Sequence, residues 1–158
     1  MIMIVVCVQN IWAHTTINLS GNDWKLFLDK DAKWKNDPLY LPGDFSSIGE
    51  LPYNPPTMGW KALRHGGVSV SVPGTLEEYL TTSVQPQPTD QSGVSWWVRD
   101  FKMPKLRKGE RAILRFGSVR HRAEVFVDST LVGYDMIAET PFDIDITDAV
   151  DNGTDHQL

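Results

Sequence analysis

Apolar and polar residues alternate along much of the chain. The clearest runs lie at residues 24–28, 68–72, 94–98, 112–116, 123–127 and 142–146. Glycine and proline punctuate the chain around them, as at Pro73-Gly74 directly after Val72. A period of two bounded by turn residues is typical of half-buried strands. The pattern therefore predicts an all-β protein, an antiparallel β-sandwich of the jelly-roll type.

Residues 123–134 form the clearest local unit. Ala123, Val125 and Val127 share one face of a predicted strand, and the next residues, Asp128-Ser129-Thr130, reverse the chain into a second strand. One short helix is predicted at residues 75–81, where Thr75 is a candidate N-cap and a glutamate follows three positions later.

Residues 30–67 depart from this pattern. They hold five of the 10 prolines and show little periodicity. Aromatic residues are spread through the segment, which favours an ordered surface excursion over a linker (Trp34, Tyr40, Phe45, Tyr53 and Trp60). A second, polar loop is predicted at residues 81–92.

Length and charge exclude several classes of function. A chain of 158 residues that is 41% hydrophobic is long enough for one domain with a sizeable core. It is too short for a (β/α)₈ barrel, which needs about 250 residues. The net charge of −5 provides no basic surface for phosphate backbones, so we expect no nucleic-acid partner.

The first eight residues, MIMIVVCV, are apolar, and no charged residue precedes Asp23. This pattern predicts a signal peptide over residues 1–13, cleaved after Ala13, with export to the periplasm or the extracellular space. We expect no membrane span in the mature chain. The segment lacks a basic start and its apolar core is short, so a buried first strand, or a start codon inside a longer signal, stays open as an alternative, as does a cytoplasmic location.

The histidines and carboxylates are the residues that could form a metal site or a catalytic pair. The four histidines do not stand at ligand spacing, and Cys7 is the only cysteine, so we expect neither a metal nor another cofactor. Glycoside hydrolysis needs two carboxylates that flank the sugar. No pair here has a spacing that indicates this role, and no catalytic residue is assigned.

Six tryptophans are many for a chain of this length. Trp96 and Trp97 are consecutive in a predicted strand, so their side chains point to opposite faces. One of them should lie in the core, and the other should face solvent, a ligand or another domain. Packing is the favoured role for these aromatic side chains, ahead of stacking on sugar rings.

A sequence of short motifs points to a known family. Val72-Pro73-Gly74 ends a strand, and the segments GVSWWVRDF (residues 93–101), AEVFVD (residues 123–128) and DIT (residues 145–147) follow in order. From residue 73 to residue 148 the chain most specifically resembles the N-terminal sugar-binding domain of glycoside hydrolase family 2. That family contains β-galactosidases, β-mannosidases and β-glucuronidases.

The resemblance implies a galactose-binding-domain-like jelly roll over residues 14–158. In the family this domain precedes an immunoglobulin-like domain and a (β/α)₈ barrel, which would be its partners together with a carbohydrate substrate. The two catalytic glutamates of the retaining mechanism belong to the barrel, and neither is carried onto this chain. Loops of the domain help to form the rim of the active site, and Asp90 and Gln91 are the candidate residues of the rim.

Two departures from the family pattern lead to structural expectations. Asp128-Ser129 stands where Asn-Gly is common, which predicts a more open turn because Ser129 would be strained in a left-handed conformation. After residues 145–147 the family continues into one more strand, and here the sequence stops as that strand begins. We therefore expect a sandwich that lacks its last strand and leaves a sheet edge unpaired.

The favoured hypothesis is a non-catalytic N-terminal domain or fragment of a secreted retaining β-glycosidase, inactive on its own. A stand-alone carbohydrate-binding module is an alternative, with Trp60, Trp97 and Tyr134 as sugar contacts. A β-sandwich used for protein–protein contact is another. The sequence leaves the glycoside, its linkage and the oligomeric state open.

Overall fold

Short strands make up most of the described structure. The computed structural model describes residues 5–10, 13–32, 53, 55–80 and 94–158. Its strands are β1 (Val5–Asn10), β2 (Ala13–Asn18), β3 (Gly21–Asp29), β4 (Val68–Val72), β5 (Val94–Val98), β6 (Asp100–Lys102), β7 (Ala112–Phe116), β8 (Ala123–Val127), β9 (Thr130–Asp135), β10 (Phe142–Asp145) and β11 (Asp155–Gln157). A short helix, α1 (Leu76–Leu80), and 3₁₀ helices at Trp60–Arg64 and Thr147–Ala149 complete the described elements.

Every strand pairing in these described ranges is antiparallel. One sheet has the order β10-β7-β1-β2, and a second has the order β4-β3-β5. Two ribbons, β11-β6 and β8-β9, accompany them. The predicted all-β, antiparallel sandwich class is confirmed.

The main core forms where the apolar faces of the strands meet. Ala112 and Leu114 are fully buried and Phe116 is nearly so, as the alternation in β7 predicts. The same cluster takes side chains from five other strands and the loops between them (Leu19, Trp24, Leu26, Val70, Val72, Phe101, Met103, Val125, Val127, Ile144 and Ile146). Val68 is the exception to the alternation, because it starts strand β4 and remains 49% exposed.

Strand β8 buries both of its faces. Val125 and Val127 enter the main core, and Phe126 between them packs on the opposite side against Leu131. The pairing of β8 with β9 shifts register between Val125 and Phe126. Such an irregularity re-aims a side chain, and here it accompanies the change from one cluster to the other.

The predicted helix forms and carries the predicted cap. Thr75 Oγ1 accepts a hydrogen bond from the Glu78 amide at 3.4 Å, and the Glu78 carboxylate accepts one from the Thr75 amide at 3.0 Å. This reciprocal arrangement is a capping box, which satisfies amides at the start of a helix. No helix in the described ranges is long and apolar enough to cross a membrane.

The expectation of a missing last strand was wrong. Strand β11 follows the turn at residues 152–154 and pairs with β6, and Leu158 continues the ladder through two hydrogen bonds to Arg99 of 2.8 and 2.9 Å. The other edge of β11 is occupied as well, because the Asp128 amide donates to the Gln157 carbonyl at 2.7 Å. A strand of three residues is thus enough to cover this edge.

The expectation of an open turn at Asp128-Ser129 was also wrong. Val127 pairs with Thr130, so only two residues connect β8 to β9. Asp128 takes the left-handed conformation, with φ of 56°, and Ser129 does not. The Asp128 carboxylate accepts a hydrogen bond from the Gln157 amide at 3.1 Å, which helps to hold the residue in this conformation.

We predict that Gly133→Ala destabilises the domain by about 1–3 kcal/mol through overpacking. A Cβ atom at Gly133 would lie 2.0 Å from Ile144 Cδ1 and 2.5 Å from Ile144 Cγ1. The measurement is the free energy of unfolding in urea.

Ile144→Ala removes the atoms that clash, so it provides the partner for a double-mutant cycle. The double variant should be more stable than the sum of the two single losses implies. Additive losses would show that Gly133 does not act through Ile144.

Candidate functional site

The structure brings two of the predicted site residues into one cluster and separates a third. Trp60 and Tyr134 pack against Phe126 and Leu131, together with Trp96; we call these five residues the aromatic cluster. Trp97 packs against the main core instead. Asp90 and Gln91 lie outside the described residues.

The two consecutive tryptophans point to opposite faces, as predicted. Trp97 contacts Tyr79 edge-on, with ring centroids 6.2 Å apart, and its indole N–H donates to Ser95 Oγ at 3.1 Å. Trp96 faces the aromatic cluster. Each tryptophan is half-buried, so neither lies wholly in the core and neither is fully exposed.

The aromatic cluster holds the end of the proline-rich excursion against the sheet. Trp60 begins a 3₁₀ helix and lies 5.0 Å from Phe126 and 5.5 Å from Trp96, centroid to centroid. Tyr53 meets Phe126 edge-on at 5.6 Å. Tilted and edge-on contacts of this kind contribute about 0.5–1.5 kcal/mol each beyond the buried area. Packing, the role favoured from sequence, is therefore a role that Trp60 performs.

A buried carboxylate joins the excursion to two strands. Asp29, the last residue of β3, is only 2% exposed. Its carboxylate accepts hydrogen bonds from the Thr57 amide at 2.8 Å, from the Thr57 hydroxyl, and from the Trp96 indole at 3.1 Å. Burial raises the pKa of Asp29, but these hydrogen bonds outweigh it, so the pKa lies below the ordinary value of 3.8.

The other side of the cluster carries a paired cation. The Arg122 guanidinium forms an ion pair with Glu124, and both side chains are largely buried. The guanidinium carbon also lies 4.6 Å from the centre of the Tyr134 ring. Burial raises the pKa of Tyr134; the Arg122 charge opposes the rise and the Glu124 charge adds to it. Tyr134 is therefore a neutral hydrogen-bonding group at pH 7.

This arrangement is suited to packing and positioning rather than to bond cleavage. The polar groups next to the rings are already paired, Asp29 with Thr57 and Trp96, and Arg122 with Glu124. Among the described residues, no group of three or more His, Cys, Asp or Glu side chains could hold a metal ion.

Sequence reasoning missed Asp29, Arg122 and Phe126. One signal was available for Phe126: three consecutive apolar residues, Val125-Phe126-Val127, indicate a strand that is covered on both faces. Asp29 offered no such signal, because its partners Thr57 and Trp96 are 28 and 67 positions away.

The family model for glycosyl hydrolases family 2, sugar binding domain, matches residues 62–158. The chain belongs to this family. The match covers the aromatic cluster except Trp60, and it includes strands β4 to β11.

This family 2 domain is also similar to parts of individual glycosidases. It is 38% identical over 61 residues to a β-glucuronidase of Streptococcus agalactiae serotype V, covering 39% of the chain and 10% of the relative. It is 26% identical over 122 residues to a β-galactosidase of Thermoanaerobacter pseudethanolicus, covering 77% and 15%. The structure of Lactobacillus rhamnosus β-glucuronidase matches with a TM-score of 0.57 and 26% identity, covering 88% of this chain and 19% of that one. The family 2 domain thus spans less than a fifth of each of these proteins.

We predict that Asp29→Asn lowers the free energy of unfolding by about 1–3 kcal/mol at pH 7, because an amide directs hydrogens toward the donors of Thr57 and Trp96. The folded-state pKa of Asp29 is lowered, so its contribution is complete above its ordinary value of 3.8 and is lost as the pH falls through the lower folded value. Urea unfolding at pH 7 and at pH 3 measures both effects.

Asp31→Asn is the matched control, since Asp31 is exposed two positions further on. The difference between Asp29→Asn and the unsubstituted chain should shrink at pH 3. A difference that is equal at the two pH values would contradict an ionised Asp29 as the anchor.

Proposed function

We propose that this chain is the N-terminal, non-catalytic domain of a longer retaining β-glycosidase. The observation that carries the proposal is the family match over residues 62–158 combined with coverage of only 10–19% of the glycosidases that resemble it. Retaining hydrolysis uses two carboxyl groups about 5–5.5 Å apart. In this proposal both belong to a barrel outside the present sequence, and the carbohydrate substrate binds there.

The role proposed for the domain is to support the barrel and an intervening immunoglobulin-like domain. The aromatic cluster favours this role because it holds the described end of the excursion in place while leaving apolar side chains at the surface. Tyr53 is 44% exposed and Met58 is 39% exposed, and both belong to the segment that Asp29 and Trp60 hold in place. Exposed apolar groups on a fixed segment are suited to contact with another domain.

A β-glucuronide is the substrate class that we propose for the whole enzyme. The curated relative at 38% identity and the solved structure at 26% identity are both named β-glucuronidase. The β-galactosidase matches over more of the chain but at 26% identity. A contribution of Asp90 and Gln91 to the rim of the pocket belongs to the same proposal.

The test compares two proteins, the product of the longest reading frame that contains residues 1–158 and the 158-residue chain alone. We expect the long product to hydrolyse p-nitrophenyl β-D-glucuronide at least tenfold faster than p-nitrophenyl β-D-galactoside. We expect the 158-residue chain to hydrolyse neither. Hydrolysis by the short chain, or a reading frame with no barrel, would contradict the proposal; a preference for the galactoside would contradict only the substrate class.

Export is a further proposal, supported by the apolar, uncharged start of the chain. Strand β1 lies within the proposed signal, between β7 and β2 in its sheet, so cleavage after Ala13 would remove a paired strand.

We predict that the protein recovered outside the cytoplasm begins near His14, as determined by N-terminal sequencing. An intact Met1 on that protein would contradict cleavage after Ala13 and would support β1 as a permanent strand, and protein found only in the cytoplasm would contradict export.

A further inference from the structure

A second feature, separate from the aromatic cluster, is a polar cleft on the ribbon formed by β6 and β11. Its volume is about 470 Å³, within the range of small-molecule sites. Hydrogen-bonding side chains dominate its lining (Arg64, Asp100, Lys102, Asp128, Asp155 and Gln157). We call this the ribbon cleft.

The register of the ribbon explains why polar groups gather there. Lys102 is paired with Asp155, and Asp100 with Gln157, so alternation brings these four side chains to one face. Phe101 and His156, the pair between them, are both buried, with ring centroids 5.8 Å apart. One face of the ribbon is thus anchored in the protein, and the other lines the cleft.

Hydrogen bonds fix part of the lining in advance. Asp128 Oδ2 lies 2.9 Å from His156 Nδ1, and Asp128 Oδ1 accepts from the Gln157 amide at 3.1 Å. The Gln157 side chain in turn donates to Asp100 Oδ1 at 3.2 Å. A ligand would meet groups that are already ordered, which lowers the entropic cost of binding.

Three charged groups of the cleft keep their hydrogen-bonding capacity available. The Arg64, Lys102 and Asp155 side chains make no hydrogen bond or ion pair with the part of the chain that the structure describes. Arg64 comes from the 3₁₀ helix that Trp60 begins, so the packing of the aromatic cluster sets its position. The ribbon cleft therefore offers two donor groups and one acceptor group to a ligand.

The charged residues of the cleft restrict the class of ligand that can bind there. Two cations face three carboxylates, those of Asp100, Asp128 and Asp155, so the excess is negative and an anionic ligand is disfavoured. The scarcity of apolar lining disfavours a hydrophobic ligand. A hydroxyl group both donates and accepts, so vicinal hydroxyls suit a mixture of carboxylates, guanidinium and ammonium.

We propose that the ribbon cleft binds a neutral glycosyl unit of a carbohydrate chain. The Asp155 and Asp100 carboxylates accept hydrogen bonds from sugar hydroxyls, and Arg64 and Lys102 donate to the hydroxyl oxygens. No exposed aromatic face contributes, so the dissociation constant is in the millimolar range, about 1–10 mM. This proposal rests on cleft residues within positions 64–157 and not on the proposed function.

The test is an NMR titration of the ¹⁵N-labelled 158-residue chain with methyl β-D-galactopyranoside, methyl β-D-glucopyranoside and methyl β-D-mannopyranoside, and with sodium D-glucuronate at matched ionic strength. We expect saturable amide shifts on β6 and β11 with at least one neutral glycoside. The glucuronate should bind at least fivefold more weakly.

Variants locate the interaction. Arg64→Gln and Asp155→Asn should each weaken binding by about tenfold, the loss of one charge-assisted hydrogen bond. Lys61→Gln, on the same 3₁₀ helix and outside the cleft, should leave binding unchanged. Both cleft variants change exposed side chains, so unchanged spectra elsewhere verify that they fold. No saturable shift with any neutral glycoside, tighter binding of glucuronate, or unchanged binding in both variants would overturn the proposal.

Discussion

Burial of strand β8 on both faces connects the parts of the molecule that matter for function. Its valines enter the main core, and Phe126 between them enters the aromatic cluster. The strand ends at Val127, and the next residue is Asp128, whose backbone and carboxylate bind strand β11. A shift of β8 would therefore disturb contacts in the core, at the end of the excursion and in the ribbon cleft at the same time.

The described residues near the end of the excursion, 55–64, depend on this arrangement for their position. They contribute Trp60 to the aromatic cluster and Thr57 to the buried carboxylate of Asp29. The aromatic contact uses apolar area, and the carboxylate contact uses hydrogen bonds in a site with little water, where they are strong. Two different kinds of interaction thus fix one segment, and that segment carries both the exposed apolar groups proposed for domain contact and Arg64 of the ribbon cleft.

Local pattern was enough to predict seven of the described strands, β3, β4, β5, β7, β8, β9 and β10, because period-two alternation reports directly on which side chains face a core. It also predicted the capping box at Thr75 and Glu78 and the opposed directions of Trp96 and Trp97. It failed where the outcome depends on distant partners. Strand β11 exists because β6 and Asp128 pair with it from both sides, and neither contact is visible in residues 152–158 alone.

In the candidate site, too, local pattern identified residue types, whereas contacts with distant residues could not be predicted. The aromatic residues were identifiable by type, but the separation of Trp97 from Trp60 and Tyr134 follows from which face of β5 meets which cluster. Asp29, whose buried carboxylate joins Thr57 to Trp96, looks in the sequence alone like the polar last residue of a strand. The ribbon cleft could not be predicted from sequence, because it depends on the register of two strands more than 50 positions apart. The hydrogen bond from Gln157 to Asp100, for example, spans 57 positions.

The role proposed for this family 2 domain is to support a catalytic domain without hydrolysing glycosides itself. The most direct measurement deletes residues 1–158 from the longest reading frame that contains them and follows hydrolysis of p-nitrophenyl β-D-glucuronide before and after the 158-residue chain is added back. The account predicts that the truncated protein loses at least 90% of its activity and regains part of it with the added chain. Full activity of the truncated protein would contradict the account.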